Sequence, residues 1–422
     1  MATRKPVIVI CGGAAALAVI RSLGAKGIPI VAVSMDDEEF AHQSKFVTHR
    51  WRAPHPEKKQ PEFIDFLLDH SPKWRGSLLI PCSDNALSAV SRNKRILESY
   101  FSVACPDWEL TKIFLEKKHT RELARIAGVP CPWTYSLRTE SDLEELRTRI
   151  NFPCLVKPST SHQYHAVFRA KMKCVQNFDE ARRAFTEAAA RGLDMMLQEY
   201  IPGNDDCGAN YNSYWWEGAP LVEFTARKVR NSPQFFGSPR VVRSEYIGEA
   251  VEQGRKLLRA AQFSGYACTE FKRDPRDGIF KLMEVNVRHN LSSQLAIRCG
   301  IDFPYLQYQH LVEGRTPTAH TFETGVYWIE MVRDIGRSFR CFRTERYSLA
   351  QYARPYFAKH VFAINSWSDP KPFLTQGIRA IQRVVRRKRA RNRGQAPSLE
   401  PVPASAAPLP VPLVSTSAER QK

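Results

Sequence analysis

Between Tyr266 and Asn290 the chain reads YACTEFKRDPRDGIFKLMEVNVRHN. Its polar residues are of types that can hold a hard metal ion and the phosphate it carries. Side chains two apart on a strand point to the same face. Glu284, Asn286 and Arg288 therefore share a face, which the spacing also gives to Phe280 and Leu282. On the incoming run, Cys268, Glu270 and Lys272 share a face. Asp274-Pro275-Arg276-Asp277-Gly278 separates the two runs with turn chemistry: proline presets φ, aspartate bonds its own backbone, and glycine accepts positive φ. A hairpin that brought the two faces together would converge two carboxylates, an amide and two cations. Carboxylate and amide oxygens suit magnesium that also binds phosphate. The competing reading is a solvated hairpin with cross-strand ion pairs.

The elements that would position this hairpin read as α/β. Residues 7–105 alternate apolar strands (Val7–Ile10, Ile30–Val33, Ser77–Ile80, Phe101–Ala104) with helical segments (Ala14–Lys26, Pro61–Asp69, Asn85–Tyr100). Such alternation implies a parallel sheet with helices on its faces. Gly12-Gly13 is a tight strand-to-helix turn and not a dinucleotide fingerprint. Pro81 to Asn85 leaves a strand and opens a helix, where either an ordinary N-cap or a ligand at the carboxyl edge of the sheet fits. A cationic helix containing Lys117 and Lys118 ends at Gly128, with Pro130 and Pro132 beyond it. Phe152 to Pro158 is a short apolar strand carrying Lys157, a candidate point charge for phosphate. Met195–Tyr200 is another strand, followed by Asp205 and Asp206 as solvated acids or hydroxyl acceptors. Arg227, Lys228, Arg230, Arg240 and Arg243 make the next segment basic, either an ordinary surface or a clamp for an anion.

The whole chain has 422 residues, 43% hydrophobic, with a formal net charge of +19. That is enough for two or three domains with a sizeable core, and the charge favours polyanionic partners: nucleotides, nucleic acid or anionic lipid. The ten cysteines form no C-x-x-C pair, which argues against a zinc site and for small buried side chains in a reducing compartment. The apolar run after Arg4-Lys5 fits a strand, turn and helix better than a secretion signal, so a cytoplasmic protein is expected. Near the end, Ile378, Ile381, Val384 and Val385 fall at helical spacing among Arg379, Arg383, Arg386, Arg387, Lys388 and Arg389. That pattern suits an anionic membrane surface or an acidic partner. No aromatics interleave with it, so nucleic acid is not expected. Residues 394–422 are rich in Pro, Ala and Ser and are expected to be disordered.

Taken together, these segments resemble the ATP-grasp enzymes over roughly residues 7–315, in particular carboxylate–amine ligases of the D-aspartate ligase and carbamoyl-phosphate-synthase type. Glu284-Val285-Asn286-Val287-Arg288 looks like that family's E-x-N-x-R. Glu116-Lys117 through Gly128-Val129-Pro130-Cys131-Pro132 resembles its lysine-led helix ending in G-V-P-x-P. Val156-Lys157-Pro158 resembles its second nucleotide lysine, and Gln198-Glu199-Tyr200-Ile201-Pro202-Gly203 its adenine hinge.

The resemblance implies an N-terminal α/β domain at 1–110 and an ATP-grasp domain at 111–315, with a small lobe near 135–200 and a large lobe near 201–315. A C-terminal extension at 316–375 and a basic tail at 376–422 would follow. By the same resemblance, Lys117 and Lys157 hold phosphates, with Ser159 beside them. Gln198, Glu199 and Ile201 meet adenine, and Asp205 meets the ribose. Glu270, Glu284 and Asn286 hold magnesium, with manganese as a substitute, and Arg288 steadies the transferring phosphoryl group. Lys228 and Arg243, with Arg240 as a third candidate, would contact the substrate carboxylate. The implied reaction forms an acyl phosphate from a carboxylate with ATP, for attack by an amine. The alternatives are a non-catalytic ATP-binding protein and an adaptor at the membrane surface through 376–393. A homodimer is compatible with all three. One departure is plain: the loop Ser159–His165, where the family has glycines, has none, so side-chain hydroxyls would replace backbone N–H groups there.

Overall fold

The computed structural model describes residues 4–10, 12–158, 164, 167–168, 172–235, 237–345 and 347–392. The chain divides into two compact units, Met1–Trp133 with Ile201–Ala380, and Thr134–Tyr200 with Ile381–Lys422.

The first unit opens with a five-stranded parallel sheet. Its strands are β1 (Val7–Ile10), β2 (Ile30–Ser34), β3 (Val47–Arg52), β4 (Leu78–Pro81) and β5 (Ser102–Val103), in the order β3-β2-β1-β4-β5. β1 is buried on both faces, Ile8 and Ile10 in one apolar cluster and Val7 and Val9 in another. Continuous apolar runs of this kind are expected where helices cover both sides of a parallel sheet. The helix Ala14–Gly24 follows β1, and Gly27 takes φ 71° to turn the chain back into β2. β3 was not foreseen. Its residues VTHRWR are mostly exposed, because it is an edge strand with little to bury.

The second unit contains a four-stranded antiparallel sheet. Its strands are β6 (Thr134–Leu137), β7 (Cys154–Pro158), β8 (Lys173–Val175) and β9 (Met195–Glu199), ordered β6-β9-β7-β8. The helix Phe178–Ala189 is capped by Asn177, whose side chain accepts from the Glu180 amide, and Glu180 reaches back to the Gln176 amide.

A seven-stranded sheet completes the first unit. Its strands are β10 (Gly208–Trp216), β11 (Ala219–Ser232), β12 (Ser238–Ser244), β13 (Gly265–Arg273), β14 (Phe280–Asn286), β15 (Tyr327–Ile329) and β16 (His360–Phe362). The order is β14-β13-β10-β11-β12-β15-β16, antiparallel except for the pair β15 and β16. The helix Gly248–Ala260 packs on β10 through a glycine: a Cβ on Gly254 would lie 2.2 Å from the Tyr211 ring. The segment after residue 315 is built into this sheet. Its helix Met331–Glu345 carries Asp334, which accepts from Arg230 Nε and Nη2 at 3.0 and 2.8 Å and from the Tyr356 hydroxyl at 2.7 Å. Arg240 pairs with Asp334 at 3.2 Å and with Glu345. Arg230, Arg240 and Asp334 are fully buried.

A buried carboxylate shared by two guanidinium groups has no alternative partner in water. Removing it leaves the Arg230 charge without a carboxylate partner in the interior, while Arg240 keeps Glu345. Asp334→Ala is expected to cost about 3–5 kcal/mol of unfolding free energy in urea titrations. A loss below about 1 kcal/mol would show that water or a side-chain shift compensates.

Candidate active site

The turn forms as its residues dictate. Asp274 N donates to Ile279 O at 2.9 Å, and Gly278 takes φ 76°. The Asp274 carboxylate is buried and accepts from Arg276 and from Lys281 Nζ. Burial would raise its pKa, but those two cations hold it well below the usual carboxylate range.

The hairpin register sets Glu270 opposite Glu284 and Cys268 opposite Asn286, then slips, so that Phe271 faces Leu282. Met283 is the extra residue of a β-bulge. This corrects the expectation that Glu284, Asn286 and Arg288 share a face with Phe280 and Leu282. A bulge re-aims the side chains beyond it. Phe280, Leu282, Val285 and Val287 all enter one apolar cluster, and the polar positions turn to the other face, where Glu270 lies.

That face can be followed across the sheet by register. Glu270 pairs with Asn210, Asn210 with Ala226, and Ala226 with Ser244. Lys228, two residues beyond Ala226, shares the face, and its Nζ lies 2.5 Å from Glu270 Oε2. Burial would strip the proton from this ammonium, but Glu270 outweighs burial and raises its pKa. Asn286 Nδ2 approaches Glu270 Oε1 at 3.4 Å. Asn210 is buried, and its Oδ1 has no hydrogen-bond partner among the described residues. Sequence reasoning missed Asn210; only the strand register places it beside Glu270.

Behind the hairpin lies a buried polar support. Asn212 Oδ1 accepts from the Tyr266 hydroxyl at 2.9 Å and from Asn290 Nδ2 at 2.8 Å, and Ser293 Oγ donates to Asn290 Oδ1 at 3.0 Å. Arg288 is held by a bidentate pair with Asp84, Nε to Oδ1 at 2.6 Å and Nη2 to Oδ2 at 2.9 Å. Burial opposes its charge, and Asp84 more than restores it. Asp84 opens the helix Asp84–Arg92, which Ser83 caps by accepting from Ala86 N at 3.2 Å.

Other expected residues fall elsewhere. Arg243 pairs with Arg227 by register, on the opposite face of the sheet from Glu270, and both cations share Glu245. It is therefore a sheet ion pair and not a substrate contact. Arg240 is likewise excluded by its burial against Asp334 and Glu345. Asp205, expected at a ribose, is buried. Its oxygens accept from Asn231 N at 2.7 Å, Asn231 Nδ2 at 3.1 Å and Phe235 N at 2.8 Å, so it anchors the β11–β12 loop. Lys272 Nζ donates to Ile201 O at 2.9 Å, and burial lowers its pKa. Lys117 is the first residue of the helix Lys117–Ile126, half-buried, while Lys118 is exposed. In the second unit, Lys157 Nζ donates to Gln198 Oε1 at 3.0 Å, and Gln198 Nε2 donates to Thr134 Oγ1 at 3.2 Å. Glu199 ends β9. Ser159 and most of its loop lie outside the described residues.

The donor set fits a divalent cation. Two carboxylates face each other across a strand pair, an arrangement that repels unless a cation lies between them. One already has an ammonium against it, and an amide and an orphaned amide oxygen lie on the same face. These are hard oxygen donors of the kind magnesium takes.

No family model matches the chain. It is 28% identical over 267 residues to the D-aspartate ligase of Enterococcus faecium, covering 58% of this chain and 62% of that protein. It is 25% identical over 210 residues to a D-alanine–D-alanine ligase of Pseudomonas putida, covering 47% of this chain and 64% of that protein. The chain thus spans under two thirds of the length of these relatives. Among solved structures, it superposes on the L-amino acid ligase of Bacillus licheniformis with a TM-score of 0.57, at 17% identity, over 74% of this chain and 75% of that one. The biotin carboxylase domain of Hydrogenobacter thermophilus 2-oxoglutarate carboxylase, solved with MgADP and bicarbonate, gives 0.59 at 16% identity over 78% and 74%. The fold is that of the ATP-grasp enzymes, and the sequence relatives are named as D-aspartate and D-alanine–D-alanine ligases.

Close behind the hairpin, His289 is buried, with Nε2 2.7 Å from Gln307 Oε1 and its ring stacked on Tyr266. Burial lowers its pKa from 6.5 to about 4. The folded state therefore takes up this proton at lower pH than the unfolded chain, so the contribution is complete above pH 6.5 and is lost as pH falls toward 4. Chemical denaturation between pH 7 and 4.5 should show this loss, and His289→Gln should remove one proton's worth of slope.

Proposed function

We propose that the protein is an ATP- and magnesium-dependent ligase that activates a carboxylate as an acyl phosphate and passes the acyl group to an amine. The observation that carries this reading is the opposed pair Glu270 and Glu284 on the bulged hairpin, with Asn286, Asn210 and the Lys228 ammonium on the same face. Glu270, Glu284 and Asn286 would hold magnesium, with manganese expected to substitute. Bound there, the ion would neutralise phosphate charge and hold the transferring group in line. Lys228 is placed to add its charge beside Glu270. Arg288, oriented by Asp84, would stabilise the phosphoryl oxygens. Lys117 and Lys157 are assigned to the phosphates, and Gln198, Glu199 and Ile201 to adenine. Phosphoryl transfer needs charge neutralisation and positioning more than a protein nucleophile, and the residues assigned here supply both. The names of the sequence relatives point to a D-amino acid as the carboxylate substrate.

The test is ADP release with ATP, magnesium and a panel of D- and L-amino acids, with hydroxylamine added to trap the acyl phosphate as a hydroxamate. Glu284→Gln should lower turnover by roughly 10²–10³-fold with the fold intact by circular dichroism. Full activity in that variant would overturn the metal assignment. ATP binding without ADP release or hydroxamate across the whole panel would favour a non-catalytic nucleotide binder.

A second proposal concerns location. Among the described residues no helix is long and apolar enough to cross a membrane. The helix Lys371–Asn392, however, exposes Leu374, Ile378, Ile381 and Val385. These residues repeat at helical spacing and so form one stripe. With the arginines that follow in sequence, the stripe suits peripheral contact with an anionic bilayer. Ile381→Glu should reduce sedimentation with phosphatidylserine vesicles at least 5-fold. Equal binding to pure phosphatidylcholine, or no loss in the variant, would reject this contact.

A further inference from the structure

A cleft of about 280 Å³ lies in the first unit, lined by Gly12 and Gly13, by Met35, Asp36 and Glu38 to Phe40, and by His55, Ser83 and Asn85. These residues follow β1, β2, β3 and β4, so the cleft stands at the carboxyl edge of the parallel sheet. The strand order β3-β2-β1-β4-β5 reverses direction between β1 and β4. Open parallel sheets bind ligands where the order reverses, because loops leaving to opposite sides part there. The ionisable lining is acidic apart from one histidine: Asp36, Glu38, Glu39 and His55. Glu39 is half-buried, and among the described residues its Oε2 accepts one long bond, 3.3 Å, from Met35 N. Between the lining residues Ser83 and Asn85 sits Asp84, the partner of Arg288. The cleft therefore adjoins the residue assigned to the transferring phosphoryl group.

The outer wall is held by a part of the chain beyond the ATP-grasp resemblance. The buried Asp369 carboxylate accepts from Ser44 Oγ at 2.7 Å, Lys45 N at 2.9 Å and Arg21 Nε at 2.9 Å. Arg379, on the basic C-terminal helix, donates to the Glu39 carbonyl. The loop carrying Glu39 is thus braced from the C-terminal side, and its carboxylate is left toward the cleft.

We propose that this cleft is the acceptor site and takes a small molecule through a primary ammonium group, with the Glu39 carboxylate as its counter-ion. The assignment rests on the ligase reading above for the word acceptor, but the cation site itself does not. A half-buried carboxylate with one weak bond gains most from a cationic partner. Burial raises the Glu39 pKa to about 7, against the influence of Arg52 and Arg379 and reinforced by Asp36. Glu38 on the same loop, His55 beyond β3, and Glu57, which accepts from Asn85 Nδ2 at 2.8 Å, are further ionisable groups around the cleft. The binding form is the carboxylate, so affinity for an organic cation rises from pH 6 to pH 8.

The probe is cadaverine, titrated calorimetrically into the full-length protein and into two variants. Glu39→Gln removes the counter-ion. Asn85→Lys, at an exposed position, places a like charge at the mouth without touching the core. Binding to wild type, at least a 10-fold weakening in each variant, and weaker binding at pH 6 than at pH 8 are expected. In turnover, the ratio of cadaverine-linked product to hydroxamate should fall at least 10-fold in Glu39→Gln. No cadaverine binding to the wild type, or equal affinity in all three proteins, overturns the cleft assignment even if hydroxamate forms. Cadaverine binding that is lost in both variants while wild type yields no hydroxamate sustains the cation site and overturns the ligase reading instead.

Discussion

Two carboxylates set opposite each other on neighbouring strands are the constraint on which the rest of this site depends. At a typical cross-strand separation of ~5 Å, and an effective dielectric of about 20, like charges repel by about 3 kcal/mol. A sheet does not retain such a pair for stability. Glu270 and Glu284 would share a cation under the proposed function, and the Lys228 ammonium against Glu270 already offsets part of the repulsion. A divalent ion would offset the whole of it. The polar residues behind the hairpin, Asn212, Tyr266, Asn290 and Ser293, bond to one another, so the strands are fixed before any ligand arrives.

The second organising feature is the use of buried charge by the C-terminal segment. Asp334 gathers Arg230 and Arg240 from the β11–β12 region, and Asp369 gathers Arg21, Ser44 and Lys45 from the N-terminal sheet. Buried ion pairs add little net stability but are strongly directional, because any other arrangement leaves a charge unpaired. Here they register the segment after residue 315 against two separate parts of the first unit. The basic loop that looked like an anion clamp is largely consumed in this way, and Arg243 is consumed by Glu245 on the far face.

How much of this was legible follows from the same physics. The parallel sheet, the hairpin turn and the lysine-led helix at Lys117 are local patterns, and each formed where its residues imply. What escaped was non-local. β3 buries too little to leave an apolar signature. The bulge at Met283 arises from packing of Leu282 and Val285 on one core, and strict alternation cannot reveal it. Arginines that bind ligands and arginines that tie buried carboxylates look alike in a sequence; the difference lies in Asp334 and Glu345, roughly a hundred residues from Arg230 and Arg240 along the chain. Asp205 illustrates the same limit, since its partners Asn231 and Phe235 lie across a loop.

The pair of Arg288 with Asp84 joins the metal hairpin to the N-terminal sheet, and it bears on how a two-step ligation would be ordered. A bidentate guanidinium–carboxylate pair fixes orientation as well as charge. Arg288 is thereby aimed from the end of β14, while Asp84 is fixed at the start of a helix whose neighbours Ser83 and Asn85 line the cleft. The ion pair therefore links the end of β14 to one wall of the cleft. An acyl phosphate hydrolyses if it forms before its acceptor is in place. If Arg288 binds the phosphoryl group and the cleft the acceptor, as proposed, the ion pair would let the presence of one substrate be sensed at the site of the other.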